Sequence, residues 1–280
     1  DQAETPMHDL MLEMKQSFPE IPIICFIGSV QNKTRMEQSF NLYRPTLVIH
    51  AAAYKHVPMM EINPTEAIIN NVYGSKIIAD LAVEYGVNKF VMVSTDKAVN
   101  PTNVMGATKR LAEIYPQSLF SENKKRGLQT QFITTRFGNV LGSNGSVIPI
   151  FRRQIESGGP VTITHKDIIR YFMTINEACS LVLEAGCMGN GGEIYVFDMG
   201  KPVKIYDLAA KMISLAGFRP GKDIKIVETG LRPGEKLYEE LLNDKETTTA
   251  TINENIMIAT VTKYDYEQVE SAINEIIALA

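Results

Sequence analysis

The chain has 280 residues, of which 45% are hydrophobic and 21% are charged, and its net charge at pH 7 is −4. This length is sufficient for one large or two modest domains with a proper core. The acidic balance argues against nucleic-acid binding, and no run of about 18 apolar residues or signal peptide predicts a membrane span or export.

The three cysteines, Cys25, Cys179 and Cys187, stand in apolar surroundings and are odd in number. No C-x-x-C pair or histidine cluster accompanies them. We therefore predict reduced thiols in the core of a cytoplasmic protein, with no disulfide and no metal site.

Apolar runs alternate with amphipathic stretches through the first half of the chain. The runs lack the period of two that marks a half-exposed strand, so both of their faces should be buried. This alternation predicts an α/β fold with a doubly wound parallel sheet of the Rossmann type. The predicted strands are 21–28, 46–53, 89–95 and 130–138, and the predicted helices are 5–17, 33–42, 64–85 and 104–125.

The pattern changes after about residue 145, where short strands mix with helices between Gly- and Pro-rich turns. We predict two domains, 1–145 with the sheet and 146–280 with a smaller α+β lobe partly interleaved with it. The polar stretch 243–254 is predicted to be a mobile surface loop. The later predicted strands are 161–164, 193–198, 224–228 and 255–260, and the later helices are 147–156, 175–186, 205–216 and 265–279.

A cluster of reactive side chains, "VSTDKAVNPTNVMGATKR", follows the predicted strand 89–95. Ligands of open α/β sheets bind beyond the carboxyl ends of the strands, where Thr95, Asp96 and Lys97 fall. An adjacent acid and amine can act as general acid and base when their surroundings tune them. Taken alone, the pair is more typical of a solvated ion pair at the end of a strand, and Lys109 is typical of a surface lysine.

Two further stretches carry weaker signals. "TLVIHAAAYKHVP" ends a predicted strand in three alanines, which would let a flat ligand approach the backbone or simply allow tight helix packing. "INNVYGS" sets Asn70 and Asn71 within an apolar helix, where asparagine competes with backbone hydrogen bonds, so a polar role in the interior or a solvent-facing position would each explain it.

The second half offers candidate anion contacts. "TTRFGNVLGSNGSVIPIF" carries a Gly- and Ser-rich loop to a helix that begins near Ser146, and helix N-termini suit a phosphate or a sugar hydroxyl. Arg170 and Arg232 stand among apolar and turn residues, and arginine is well suited to bidentate phosphate contacts. A mobile loop and two surface ion pairs are the simpler alternatives.

Together these stretches, with "IRYFMTI" and "RPGEKLYEELL", resemble nucleotide-sugar 4,6-dehydratases of the polysaccharide-biosynthesis type, in the extended short-chain dehydrogenase/reductase superfamily. The motifs occur in the family's order over nearly the whole chain. The resemblance implies an NAD-dependent reaction on UDP-N-acetylglucosamine: oxidation at C4, elimination of water across C5 and C6, and return of the hydride to C6. The product would be a UDP-4-keto-6-deoxy sugar for surface polysaccharide or glycan synthesis.

The resemblance also implies roles for single residues. Thr95 would bond the C4 oxygen, Asp96 would protonate the leaving C6 hydroxyl, Lys97 would take the C5 proton, and Lys109 would bind the nicotinamide ribose. The implied dinucleotide contacts are Asp1, Gly28, Ser29, Val30, Ala51, Ala52, Ala53, Lys55 and Asn71. The implied UDP-sugar contacts are Asn139, Ser143, Ser146, Val147, Arg170, Arg232 and Glu235.

Two features depart from the family pattern. Met105 replaces the tyrosine of Tyr-x-x-x-Lys as in one branch of the family, and a thioether exchanges no proton, so Asp96, Lys97 or a water would deprotonate the C4 hydroxyl. The first strand and the Gly-rich loop that cradles the pyrophosphate are absent from the 280 residues. We therefore expect that the chain is part of a longer, homo-oligomeric protein and that it binds NAD poorly alone. If the parent protein is membrane-anchored, this part would lie at the cytoplasmic face of the membrane.

Two alternatives stay open at the level of sequence. A nucleotide-sugar epimerase would also oxidise C4 but would return the hydride to the same carbon. A catalytically silent UDP-sugar-binding fragment would explain the missing Gly-rich loop.

Overall fold

The computed structural model describes residues 1–143, 145–240, 242 and 246–280, and within them the chain forms twelve strands. In chain order the strands are β1 (Leu47–His50), β2 (Lys89–Val93), β3 (Gln131–Arg136), β4 (Asn139–Val140), β5 (Val161–Ile163), β6 (Ile169–Arg170), β7 (Phe172–Met173), β8 (Glu193–Phe197), β9 (Val203–Lys204), β10 (Ile226–Glu228), β11 (Thr247–Ala250) and β12 (Ile256–Thr260).

The described residues also form ten α-helices, together with a π-helical turn at Ile68–Tyr73 and a 3₁₀ turn at Asp96–Ala98. None of these helices is both long and apolar enough to span a membrane. In chain order the helices are α1 (Glu4–Ser17), α2 (Lys33–Tyr43), α3 (Val57–Glu61), α4 (Pro64–Ala67), α5 (Gly74–Glu84), α6 (Val104–Lys125), α7 (Val147–Glu156), α8 (Ile175–Met188), α9 (Ile205–Leu215) and α10 (Tyr266–Leu279).

A six-stranded sheet in the order β1-β2-β3-β8-β12-β11 forms the centre of the fold. Its first four strands are parallel, and β12 and β11 extend it as an antiparallel edge. In the register His50 lies beside Met92, and Val93 lies beside Thr135. The carboxyl ends of β1, β2 and β3 therefore meet at one edge of the sheet, where α/β folds bind their ligands.

Helices cover both faces of this sheet, which confirms the predicted doubly wound α/β fold. On one face α5, α6 and α10 pack around Phe90 and Met92 of β2. On the other face α8 covers Val91 and Ile133. Alternate residues of β2 thus enter two separate apolar cores, which is why this strand shows no polar alternation in the sequence.

Elements after residue 146 contribute to two parts of the molecule. β8, β11 and β12 complete the large sheet, whereas α7, α9 and the parallel pair β5–β10 surround a separate core that contains Phe151 and Ile213. The division of the chain into 1–145 and 146–280 stays a prediction.

The predicted strand 21–28 is wrong, because this segment forms no strand. Its end bonds to the first residue, where Gly28 N donates to Asp1 O at 3.0 Å and the Asp1 amino group donates to Phe26 O at 3.3 Å. A strand needs a continuous ladder, and the described residues supply no further neighbour for this one. Ile24 accordingly stays 63% exposed.

Two smaller predictions are also corrected. All three cysteines are free but exposed, because Cys179 and Cys187 lie on the outward face of α8 and Cys25 lies in the segment 21–28, which forms no strand. The predicted loop 243–254 contains the edge strand β11, whereas 243–245 lie outside the described residues.

Candidate active site

A cavity of about 540 Å³ opens at the carboxyl edge of the large sheet, between the sheet and the β5–β10 core. It brings together residues that are far apart in the sequence. The residues predicted from sequence that line it are Ala51, Ala53, Lys55, Thr95, Lys97, Lys109, Asn139, Ser143, Ser146, Val147, Arg170, Arg232 and Glu235.

Asp96 and Lys97 form an ion pair beside this cavity. β2 ends at Val93, and the chain then turns through Asp96–Ala98, with the Thr95 hydroxyl accepting from Lys97 N at 3.4 Å. Asp96 Oδ1 accepts hydrogen bonds from Lys97 Nζ at 2.9 Å and from Thr95 Oγ1 at 2.8 Å. The Asp96 side chain is only 3% exposed and the Lys97 side chain is 20% exposed. The carboxylate therefore lies below the cavity surface, whereas Lys97 lines the cavity.

Two glycines allow the close approaches that fix this turn. A Cβ at Gly106, in the first turn of α6, would lie 2.3 Å from Lys97 O. A Cβ at Gly138, after β3, would lie 3.1 Å from Asp96 Oδ2. The first turn of α6 and the end of β3 thus both pack closely against the Asp96–Lys97 turn. A larger residue in place of either glycine would displace this turn.

Lys97 also faces the second half of the chain. Its Nζ donates to Asn139 Oδ1 at 3.3 Å and lies 3.8 Å from Glu239 Oε1. Burial, together with the negative charge of Asp96, raises the pKa of Glu239 above its usual range, although Lys97 and the nearby cations oppose this. Sequence reasoning did not select Glu239.

Lys109 lies on α6 with its ammonium turned inward. The residue is 5% exposed, and its Nζ donates to Val93 O at 2.8 Å. Burial lowers the pKa of Lys109 to about 8, against the opposing charge of Glu113. Burial and the charge of Lys109 lower the pKa of His50 to about 3, and this histidine bonds Ser75 Oγ at 2.8 Å. The buried histidine is therefore neutral and structural.

Met105 lines the cavity from the first turn of α6. It is 2% exposed and packs with Met60 and Ala67, and with the partly buried Tyr54. The thioether thus fills the position expected for a tyrosine with an apolar contact and offers no proton donor or acceptor of useful strength.

Asn71 lies behind the cavity and holds its wall in place. It belongs to the π-helical turn, accepts from Tyr54 N at 2.7 Å and donates to Tyr54 O at 3.0 Å. Its amide also donates to Thr108 Oγ1 at 3.1 Å. These bonds fix the segment that follows the three alanines, and the predicted contact of Asn71 with the cofactor stays a prediction.

The second half contributes a serine hydroxyl without a partner among the described residues and an arginine whose guanidinium is already hydrogen-bonded to the backbone. Ser146 precedes α7, and its buried Oγ has no hydrogen-bond partner in the described part of the chain. The Arg170 guanidinium donates to three backbone carbonyls, those of Ile169, Lys236 and Leu237. Arg170 therefore holds the 236–237 segment, whereas the exposed Arg232 lies at the rim.

The remaining predicted dinucleotide contacts do not line the cavity in the described structure. Ala52 lies beside lining alanines, and Val30 packs against Gly74, where a Cβ would lie 2.6 Å from Val30 Cγ2. Gly28 bonds Asp1 through the backbone, and Ser29 directly follows Gly28. Their predicted role therefore stays a prediction.

Several lining residues were missed as site residues. His56 contacts the loop residue Gly145, which adopts a φ of +71° and whose Cβ would lie 2.5 Å from His56 Cε1. The proximity of His56 to the Gly- and Ser-rich loop has no short-range sequence signal. Further lining residues are Tyr54, Asn103, Phe137 and Glu239.

The sequence matches the polysaccharide biosynthesis protein family over residues 1–261. The capsular polysaccharide biosynthesis protein CapD of Staphylococcus aureus is 52% identical over 98% of this chain and 45% of that protein. An inverting UDP-N-acetylglucosamine 4,6-dehydratase of Campylobacter jejuni is 38% identical over 79% of this chain and 63% of that protein. A UDP-glucose 4-epimerase of Rickettsia massiliae is 35% identical, with coverages of 84% and 66%.

Solved structures share the fold. Pen from Bacillus thuringiensis superposes with a TM-score of 0.82 at 32% identity, over 98% of this chain and 88% of that one. The UDP-glucose 4-epimerase of Thermus thermophilus, in complex with NAD, superposes with a TM-score of 0.68 at 22% identity, over 80% and 78%. The chain spans less than half the length of CapD.

Proposed function

This chain belongs to the polysaccharide biosynthesis protein family, and on that premise we propose that it is the catalytic region of an NAD-dependent UDP-N-acetylglucosamine 4,6-dehydratase. The activity would yield a UDP-4-keto-6-deoxy sugar for surface polysaccharide or glycan synthesis. The dehydratase relative from C. jejuni supports the reaction class, and the CapD relative supports the setting.

The ion pair of Asp96 and Lys97 carries the proposal. Elimination of water across C5 and C6 requires a base that removes the C5 proton and an acid that protonates the leaving hydroxyl. Two groups of opposite role must therefore flank one carbon–carbon bond. Asp96 and Lys97, 2.9 Å apart beside the cavity, supply such a pair, whereas a simple reductase needs only one acid–base group.

Thr95 offers a route for the C4 proton that Met105 cannot provide. Its hydroxyl lines the cavity and donates to Asp96 Oδ1 at 2.8 Å. As the C4 hydroxyl loses its proton to Thr95 Oγ1, Thr95 passes its own proton to the Asp96 carboxylate. Asp96 is then the acid that the next step needs, and the same proton leaves with the C6 oxygen as water.

In the resting ion pair Lys97 is an ammonium, so it must first give one proton to solvent, and as the free amine it then takes the C5 proton during elimination. The resulting ammonium lies within hydrogen-bond reach of the Asp96 carboxylate that elimination leaves behind. When the C6 carbon is reduced, Lys97 returns a proton to C5, so Asp96 is again the carboxylate and Lys97 again the free amine. The two residues therefore complete the proton balance of the reaction without a further donor.

We assign the nicotinamide half of NAD to this cavity. Ala51 and Ala53, just after β1, leave its wall without bulky side chains, and Lys109, whose residue is 5% exposed, lines the same cavity. We assign these residues and Lys55 to the cofactor. When bound, NAD would supply the oxidant for C4 and the hydride for C6. With a pKa of about 8, Lys109 is mostly charged at pH 7 and would hold ribose hydroxyls as a donor.

The UDP moiety is assigned to the β5–β10 side of the cavity. Ser146 offers a buried hydroxyl with no partner among the described residues, at the N-terminus of α7. Backbone N–H groups there favour phosphate or hydroxyl oxygens. Asn139, Ser143 and Val147 line the cavity nearby, and the exposed Arg232 can reach a diphosphate from the rim, supported by Glu235 Oε2, which accepts from Arg232 N at 3.1 Å.

The experiment is turnover of UDP-N-acetylglucosamine by the intact protein with NAD, followed by mass spectrometry of the product. Loss of one water supports the dehydratase. A product of unchanged mass supports a nucleotide-sugar epimerase, the second candidate, which the relatives of that name favour. Tight binding without turnover would instead support a silent UDP-sugar-binding module. Homo-oligomer formation and a cytoplasmic location stay predictions.

A further inference from the structure

Glu239 is a carboxylate of the cavity wall to which the proposed reaction assigns no step. It lines the cavity, and its side chain is 6% exposed. Its Oε1 lies 3.8 Å from Lys97 Nζ and 3.7 Å from Arg170 Nη2. Lys97 therefore lies between two carboxylates, Asp96 on its own turn and Glu239 from a segment 142 residues later.

Glu239 also forms an ion pair with Arg170, at 3.7 Å. That guanidinium is tied to the backbone carbonyls of Ile169, Lys236 and Leu237 at 2.8–3.1 Å. Arg170 is 7% exposed, so solvent screens this contact only weakly. A rigid cation thus anchors the carboxylate that faces Lys97.

The second carboxylate matters most when Asp96 carries a proton. A protonated Asp96 no longer attracts the Lys97 ammonium as an anion, yet elimination requires that state. Glu239 then stays as the anion within 4 Å of Lys97 Nζ. Its charge stabilises the ammonium that forms as Lys97 takes the C5 proton, and so strengthens the amine as a base.

We propose that Glu239 is a positioning residue for Lys97, which holds the amine at the cavity and stabilises its protonated form during removal of the C5 proton. The proposal rests on the proposed dehydratase function for its catalytic part. The contact between Glu239 and Lys97 does not depend on that function.

Charges of both signs surround Glu239. Burial, with the charge of Asp96, raises the pKa of Glu239, so its support for Lys97 is lost as the pH falls through that raised value. Lys97, Arg170 and Lys236 act in the opposite direction and favour the charged carboxylate. The charged groups that face it are Asp96, Lys97, Arg170 and Lys236, with Glu235 also 3.7 Å from Arg170.

The first test measures the contact without any turnover. Acetic anhydride labels the free amine, so the acetylation rate of Lys97 at pH 7.5, followed by mass spectrometry, reports how strongly the ammonium is held. We expect Glu239→Gln to speed labelling about threefold to tenfold, because an opposite charge within 4 Å is removed. Glu239→Asp should fall between the two. An unchanged rate in Glu239→Gln overturns the proposal.

Glu240→Gln is the matched control. Glu240 is the next residue, is exposed, and bonds Lys236 and Asn100. The same loss of one negative charge at this position should leave the labelling of Lys97 unchanged. A similar acceleration in both variants would show a general charge effect and overturn the specific role of Glu239.

The second test uses turnover of UDP-N-acetylglucosamine by the intact protein with NAD. We expect Glu239→Gln to slow exchange of the C5 proton with solvent about tenfold and to move the pH optimum lower, while C4 oxidation changes little. Equal losses in both steps contradict the positioning role. If the wild-type protein dehydrates no sugar, the proposed function fails, and the labelling result still decides whether Glu239 holds Lys97.

Discussion

Lys97 Nζ and Asp96 Oδ1 lie 2.9 Å apart at the carboxyl end of β2, although the two side chains differ sharply in exposure. The acid is enclosed and the amine reaches the cavity. The proposed reaction assigns removal of the C5 proton to Lys97 and protonation of the leaving C6 hydroxyl to Asp96, so both groups would come from one turn of the chain. A site for hydride transfer alone would need only one acid–base group.

Lys97→Ala should abolish exchange of the C5 proton with solvent in the intact protein, by a factor of about 100 or more, because the base is removed. Oxidation at C4 should persist, since it uses Thr95 and Asp96. NMR of the sugar in deuterated water measures exchange, and the absorbance of reduced NAD in a single turnover measures oxidation. Unchanged exchange at C5 would exclude Lys97 as the base.

Met105→Leu should retain substantial turnover, because the side chain fills apolar space against Met60 and Ala67 and transfers no proton. A swap of similar volume costs less than about 1.5 kcal/mol in the free energy of unfolding. Steady-state turnover and urea unfolding of the same preparation provide the check. A folded variant that binds NAD but is inactive would mean that the thioether takes part in the chemistry.

Gly106→Ala should reduce turnover strongly, since its Cβ would lie 2.3 Å from Lys97 O and must displace the Asp96–Lys97 turn. Gly186→Ala is the matched control, because the new Cβ would come no closer than 3.2 Å to its nearest neighbour, the side-chain atom Val91 Cγ2. Turnover of the two variants, compared at equal folded concentration, measures the effect. Similar activity in both would show that the turn tolerates displacement.

A buried ion network behind the site predicts how stability depends on pH. Arg136 donates to Glu113 at 2.7 Å, and both side chains are fully buried. Burial alone would raise the pKa of Glu113, but Arg136, Arg110 and the Ser94 hydroxyl outweigh it and hold the pKa below its usual range. The stabilisation is therefore present above the ordinary pKa of a glutamate and is lost as the pH falls through the lowered value.

Glu113→Gln should lower the free energy of unfolding by about 1–3 kcal/mol, because Arg136 loses one buried charged partner while Glu246 still pairs with it at 2.8 Å. It should also flatten the loss of stability in acid. Glu122→Gln, on the same helix in a surface pair with Lys125, should change little. Urea unfolding at several pH values measures both variants, and equal effects would contradict the importance of burial.

The core of the site could be predicted from the sequence because it follows buried strands. Thr95, Lys97 and Asn139 come directly after runs that lack polar alternation, and parallel strands bring their carboxyl ends together. The same logic failed for 21–28, since a strand also requires a paired neighbour. An apolar run of this kind forms a strand only where the described chain supplies a neighbouring strand to pair with it.

Glu239 could not be predicted, because its importance depends on a contact with Lys97 across 142 positions. Nothing in the local pattern of "RPGEKLYEELL" separates it from Glu240, yet one side chain enters the cavity and the other faces solvent. The cysteines show the same limit. Their apolar neighbours indicated burial, whereas the period of α8 turns Cys179 and Cys187 outward.

The proposed function is tested most directly by following deuterium from C4 of UDP-N-acetylglucosamine through turnover by the intact protein with NAD. We predict a product that has lost one water and carries the deuterium at C6. A product of unchanged mass that keeps the deuterium at C4 would contradict the dehydratase and establish an epimerase.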